Sequence, residues 1–433
     1  MLVCASALFL VGLDTSMVTV ALPSVSTSLG VERERLAWVV DAYTVPFASL
    51  LITAGALADR YGRRRIFRIG LVTVALSSLA CAVAPTLEVL VLARALQGVG
   101  ASMLTPVALA IVVNVMTDPR ERALAIGAWG SMFGISLAAG PVTGGALTSA
   151  IDWRAVFWVN LPLIALILVL VAVFVPESRA ADPRPLDPVG QILLVALVGI
   201  GVTLLIEGPH QGWTSPIALV AYPLLVATAA AFIVVETRRD APLIDLSLAR
   251  NGPFAAAIVS AVVVFTAFSM VMFLTTMLLQ VDSDWSTVAA GAATLPMAVG
   301  TVVGAPLSGI LVGRTGPRLP LIISGTLIAV AGLCLLPQTL PVLFLAFLLA
   351  GAGVGIASAP VTNTAVSTLP ADRAGVAGGM TSTARQLGIA FGAALAGSLG
   401  VGTVAWTLII CCGAAVVAVA VLVIPRTGAT VSR

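Results

Sequence analysis

Fourteen predominantly apolar stretches, each about as long as a helix that crosses a bilayer, follow one another along the chain with short breaks. They run near 2–24, 36–57, 67–85, 87–114, 122–148, 155–175, 187–207, 215–235, 253–280, 288–311, 319–337, 341–367, 374–399 and 402–424. In lipid a backbone must satisfy its own N–H and C=O groups, and a helix does so within one segment. The chain has 433 residues, with only 22 basic and 19 acidic side chains, too few to cover a water-facing surface. The expected fold class is an all-α polytopic membrane protein.

Other classes fall away quickly. The cysteines Cys4, Cys81, Cys334, Cys411 and Cys412 are scattered through apolar runs, so no disulfide scaffold is read. A net charge of +3 without a basic patch beside aromatic platforms gives no nucleic-acid partner. One histidine, no Cys-x-x-Cys and no phosphate-cradling Gly-x-x-x-x-Gly-Lys imply neither a metal, nor a cofactor, nor an ATP engine, nor an enzyme. The first segment carries Asp14 and lacks a basic leader, so it reads as a span rather than a cleaved signal.

Arginine supplies every basic side chain, and its placement sets the orientation. Arg60, Arg63, Arg64, Arg65, Arg68, Arg120, Arg122, Arg179, Arg184, Arg238, Arg239, Arg250, Arg314, Arg318 and Arg373 follow even-numbered spans, and Arg426 and Arg433 sit in the tail. Arg33, Arg35 and Arg154 lie on the other side. The positive-inside rule then puts both termini in the cytoplasm. Arg94 and Arg385 remain inside spans.

Self-comparison at an offset of 254 residues aligns Gly55-Ala-Leu57-Ala-Asp59-Arg60-Tyr-Gly62-Arg-Arg64 with Gly309-Ile-Leu311-Val-Gly313-Arg314-Thr-Gly316-Pro-Arg318. At the same offset Pro106 meets Pro360, and Asp118 meets Asp372. Parallel repeats of six spans are a transporter architecture. The expected domains are a six-helix half at 1–176, an inserted helix pair with its linkers at 177–252, and a second six-helix half at 253–433.

Several of these residues carry a family resemblance. Gly55-Ala-Leu-Ala-Asp59-Arg60-Tyr-Gly62-Arg63-Arg64-Arg65 resembles the loop 2–3 signature of the major facilitator superfamily. Leu13-Asp14-Thr15 through Leu22-Pro23, and Arg94-Ala-Leu-Gln97-Gly98-Val-Gly100, resemble the first- and fourth-span motifs of its fourteen-helix drug:proton antiporter branch. Gly140-Pro141-Val-Thr-Gly144-Gly145 resembles the antiporter motif, and the likeness extends through Trp153-Arg154-x-x-Phe157-x-x-Asn160-x-Pro162. Trp38-Val-Val-Asp41-Ala-Tyr43 looks most like bacterial antibiotic exporters. The resemblance implies two six-helix halves plus two central helices. It also implies export of small hydrophobic or cationic drugs in exchange for protons, by alternating access across a bacterial inner membrane. The alternatives are a proton-coupled metabolite symporter and a transporter-like sensor that moves nothing. A monomer in the bilayer, exchanging a small molecule for protons, is the expected assembly.

Asp14 sits halfway along the first span, where a carboxylate costs on the order of 2.5–3.5 kcal/mol on insertion scales and faces a cavity or a partner. It can couple protons and touch cargo, or simply pair with Arg94 to hold two spans together. Arg94 keeps its charge at any cellular pH and suits tuning a carboxylate. Gln97, one turn on, bonds cargo or glues helices. Asp41, nearer a span end, either snorkels to water or lines the mouth as a second proton or substrate group. Arg385 is a cavity counter-ion or snorkels. Glu207 and His210, at the end of span 7, are expected to be solvated. Gly55, Asp59, Arg60, Gly62, Arg63 and Arg64 form a conformational latch, with Asp118 or Glu121 as partners. Gly140, Pro141, Gly144 and Gly145 give a close helix contact that the resemblance ties to leak prevention. The proton-coupling set is thus Asp14, Arg94 and Asp41, and the substrate set Asp14, Asp41, Gln97 and Arg385.

Overall fold

The computed structural model describes residues 2–115, 132, 135–136, 139–179, 186–239, 242–244, 246–368 and 374–424. These residues form helices and no strands. The helices are α1 (Leu2–Leu29), α2 (Ala37–Tyr61), α3 (Arg63–Ala82), α4 (Leu87–Ser102) and α5 (Thr105–Val115). Then come α6 (139–150), α7 (Ala155–Trp158), α8 (Asn160–Phe174), α9 (Pro188–Gln211) and α10 (Pro216–Arg238). The rest are α11 (Gly252–Met277), α12 (Thr287–Ala293), α13 (Leu295–Thr315), α14 (Arg318–Leu335), α15 (Leu340–Ser367), α16 (Ala374–Leu399) and α17 (Thr403–Val423). Among the described residues, 12 helical stretches are long and apolar enough to cross a membrane. Much of the expected span 5 lies outside the described residues, and α16 occupies the expected span 13.

The chain forms two compact units, Met1–Leu243 with Leu279–Ala292, and Ile244–Leu278 with Ala293–Arg433. In the first, α2 packs on α4, and α3 on both α4 and α8. In the second, α13 packs on α15, and α14 on both α15 and α17. The same pattern therefore recurs at the offset of the sequence repeat. Matching details carry it. Gly62 and Gly316 both turn the chain at positive φ (+111° and +74°), which glycine adopts without a Cβ penalty. Arg64 donates to Ala172 O of α8 at 2.7 Å, and its counterpart Arg318 donates to Val421 O of α17 at 2.8 Å, each reaching the equivalent helix of its repeat.

The repeat also differs in an instructive way. Pro106 and Pro360 are aligned, yet the expected single span at 87–114 breaks at Met103-Leu104, while α15 runs unbroken through Pro360. Proline lacks the N–H that would bond the carbonyl four residues back. In α15 that carbonyl, Ile356 O, accepts instead from Ser308 Oγ of α13 at 2.6 Å, and Ser308 Oγ also accepts from Ala359 N at 3.2 Å. A neighbouring hydroxyl that replaces the lost donor lets a membrane helix tolerate proline. The residue matching Ser308 in the first repeat is Ala54, which has nothing to donate.

The inserted pair α9–α10 belongs to the first unit and is fastened to α2. Near one end, Thr53 Oγ1 donates to Gln191 Oε1, and Gln191 Nε2 donates to Ser49 O at 2.9 Å. Near the other, Trp38 Nε1 donates to Glu207 Oε1 at 2.8 Å.

Candidate functional site

Glycine positions the central site. A Cβ on Gly98 would overlap Tyr43 O, and one on Gly100 would lie 2.9 Å from the backbone nitrogen of Val74. Two missing side chains therefore let α4 wedge between α2 and α3. Arg94 and Gln97 share a helix face at the i, i+3 spacing and point into this seam.

There they meet Asp14 of α1. Arg94 Nη1 donates to Asp14 Oδ2 at 2.6 Å, and Gln97 Nε2 donates to Asp14 Oδ1 at 2.9 Å. Asn160 Nδ2, at the start of α8, donates to the same Oδ1 at 2.7 Å. Gln97 Oε1 accepts from Arg94 Nη1 at 2.7 Å, and Gln97 Nε2 also reaches Ser78 Oγ at 3.0 Å. Arg94 Nε donates to Val39 O at 3.0 Å, and the guanidinium lies 4.3 Å from the Tyr43 ring centroid, within cation–π range. Asp14, Arg94, Gln97 and Asn160 are exposed by 3%, 1%, 0% and 0%. The result is a buried polar knot joining α1, α2, α3, α4 and α8. Both Asp14 oxygens accept, as an ionised carboxylate does.

Asp41 lies on α2 two residues from both Val39 and Tyr43 of this knot but takes no part in it. It is 0% exposed, and neither carboxylate oxygen has a hydrogen-bond partner. Snorkelling to water is thus not how the structure holds it. Glu207 also departs in part from expectation. It is half-buried, and besides facing an open pocket it accepts from Trp38 and from Gln211 Nε2, each at 2.8 Å, so it also ties α9 to α2. The environment of the His210 side chain lies outside the description.

At the corner between α2 and α3, Arg63 Nη2 and Nε donate to Asp59 Oδ1 at 2.9 and 3.1 Å. Arg60 lies over the Tyr61 ring, with its guanidinium carbon 5.9 Å from the centroid. A Cβ on Gly55 would meet only Pro106, at 3.9 Å. Asp118 and Glu121 lie outside the described residues. The partner the structure provides is Glu177, just after α8. Its Oε1 and Oε2 accept from the backbone N–H groups of Arg64 (3.1 Å) and Arg65 (3.2 Å). A carboxylate at the start of α3 meets unpaired N–H groups and the positive end of the helix dipole. A Cβ on Gly62 would fall 2.7 Å from Glu177 Oε1, so Gly62 opens that seat.

The small residues of α6 face two neighbours within the same unit. A Cβ on Gly140 would overlap Ser16 Oγ, and one on Gly144 would lie 2.8 Å from Met17 Cα. A Cβ on Gly145 would lie 2.6 Å from Thr287 O, and one on Gly291 of α12 would overlap the carbonyl of Pro141. Backbones touch here with no side chain between them.

Arg385 belongs to the second unit. From α16 its Nη2 donates to Thr362 Oγ1 at 2.7 Å and to Ser358 O at 3.3 Å, both on α15. The guanidinium carbon is 5.7 Å from the Phe265 ring centroid on α11, and Nε is buried without a partner.

Sequence reasoning thus named Asp14, Arg94 and Gln97, which the structure brings together, and Asp41 and Arg385, which stand apart from them. It quoted Asn160 without giving it a role, and it passed over Glu177. A polar amide in an otherwise apolar run was the available signal for Asn160; Glu177 had none beyond its linker position.

The family model described as Major Facilitator Superfamily matches residues 4–393. The chain is 37% identical over 396 residues to Multidrug resistance protein Stp of Mycobacterium tuberculosis, covering 90% of this chain and 74% of that one. It is 36% identical over 423 residues to Puromycin resistance protein pur8 of Streptomyces alboniger, covering 94% and 82%. Its fold is similar to the crystal structure of a D-xylose-proton symporter, with a TM-score of 0.68 at 15% identity, covering 99% of this chain and 98% of that one.

Proposed function

The chain belongs to the major facilitator superfamily, and from that membership we propose that it exports small, largely apolar drugs or antibiotics in exchange for protons. It is a multi-span membrane transporter, not an enzyme. Relatives named for multidrug and puromycin resistance support the direction and the cargo class. In this reading it has fourteen spans in two six-helix halves with an inserted pair, and it works by alternating access as a monomer. It resides in a bacterial inner membrane with both termini in the cytoplasm.

The observation that carries the coupling is the buried knot around Asp14. An acceptor held by three donors from α4 and α8 keeps α1 closed against them. Protonation of Asp14 removes its charge and turns one oxygen into a donor, which Arg94, a pure donor, cannot accept. The knot then loosens, and α1 is free to move relative to α4 and α8. Deprotonation on the other side of the membrane re-forms it. Asp41, buried and unpaired, is a second proton site in the same unit. The Asp59–Arg63 pair and the Glu177 cap close the arginine-rich end and break when that end opens. The tight α6 contacts with α1 and α12 exclude a continuous water path.

Everted, energised membrane vesicles test this reading. Addition of a cargo drug should release lumenal protons, seen as recovery of a quenched pH dye, and Asp14→Asn should abolish the response while inserting normally. A well-inserted Asp14→Asn protein that still exports with proton release would overturn the role of Asp14. No proton release across a broad drug panel would overturn the export reading itself.

A further inference from the structure

Among the described residues the second unit contains no acidic side chain, yet α16 carries Arg385 about 16 Å from one helix end and about 21 Å from the other. That depth keeps a guanidinium from reaching a lipid phosphate at either surface by extending its side chain, yet the residue is half-buried rather than sealed. Intramembrane arginines pair with a carboxylate or face a functional cavity. The first unit follows the former pattern with Asp14 and Arg94. Arg385 has only a hydroxyl, one carbonyl and an aromatic ring, all neutral, and its Nε has nothing. A guanidinium keeps its charge, so this positive site is built in and uncompensated.

We propose that Arg385 is the cargo-recognition group of the second unit, and that it selects compounds in which an ionised acid, a carboxylate or an acidic phenol, is joined to an aromatic body. This rests on the export reading above and narrows its substrate class, away from cations. The guanidinium offers planar donors matched to a carboxylate. Thr362 and Ser358 fix its orientation by holding Nη2, which leaves Nη1 of the half-buried side chain for the acid. Phe265, already beside the guanidinium carbon, supplies an apolar face for the attached ring. A cation at the same place would meet an unshielded like charge.

The test uses the full chain in nanodiscs of zwitterionic lipid and in vesicles, with three probes: pyrenebutyrate, its methyl ester, and a pyrene-alkyl trimethylammonium. The wild type should bind the acid at least about tenfold more tightly than the ester, as one charge-assisted hydrogen-bond pair allows. Arg385→Gln should remove that preference, raising KM for the acid about tenfold with the ester unchanged, and Arg385→Lys should retain part of it. Equal losses for acid and ester in Arg385→Gln would make Arg385 a helix clamp and overturn the proposal. So would a wild-type preference for the trimethylammonium probe. Arg385-dependent binding of the acid without energised export of any drug would sink the export reading and leave the recognition site standing. Export of cations indifferent to Arg385 would do the reverse.

Discussion

At the scale of single residues, two of the buried acids of the first unit, Asp14 and Asp41, lead to opposite expectations. Asp14 has three donors, so removing one leaves buried charge uncompensated. Arg94→Leu should destabilise the protein by about 3–5 kcal/mol, the usual cost of breaking a buried ion pair on one side. Arg94→Lys should also fail, because an ammonium cannot bond Asp14, Gln97 and Val39 O while lying flat on Tyr43. Melting of the purified protein and drug resistance of expressing cells measure the two effects. Asp41 has no partner, so Asp41→Leu should raise the melting temperature, with a gain of about 1–3 kcal/mol from removing an unsatisfied polar group. If Asp41 carries a proton in the cycle, the stabilised variant should export more slowly. The Asp14–Arg94–Gln97 set was readable because charge at bilayer depth is rare and needs a partner. Asn160 was not, since a neutral amide in a span is as often helix glue as a functional group.

Among the helices, proline shows where local sequence stops being informative. Pro106 and Pro360 occupy equivalent repeat positions, and nothing within their own segments says which helix will break. The answer sits on another helix, in Ser308 against Ala54. Ser308→Ala should leave Ile356 O without its donor and cost about 1–3 kcal/mol, with faster amide exchange around Ile356 and Ala359. The glycines of α6 act by absence of volume. Gly144→Leu would drive a side chain into Met17 backbone atoms, so export should fall steeply, while Ala at Gly55, with its nearest neighbour at 3.9 Å, should be tolerated. Resistance levels at matched expression decide both. For 12 of the fourteen expected spans, a membrane-length helix was legible from apolar run length alone. Helix breaks, and the capping of α3 by Glu177, depend on contacts distant in sequence and so escaped it.

For the whole molecule, the arginine bias predicts sidedness: a tag after Arg433 should be reached by an impermeant reagent only in everted vesicles. The lone guanidinium of α16 has a further consequence, an electrical one. Under the proposed exchange, cargo with a negative charge leaving the cell and protons entering it would carry current in the same direction, inward. Each cycle then moves at least two elementary charges down the membrane voltage. At about 2.3 kcal/mol per charge per 100 mV, that is about 4.6 kcal/mol per cycle, or about three decades of concentration. Valinomycin with balanced potassium, which removes voltage and spares the pH gradient, should therefore slow export of the acid far more than that of its ester. On this account the cell's own polarity, more than its acidity, sets how much cargo the protein can hold outside.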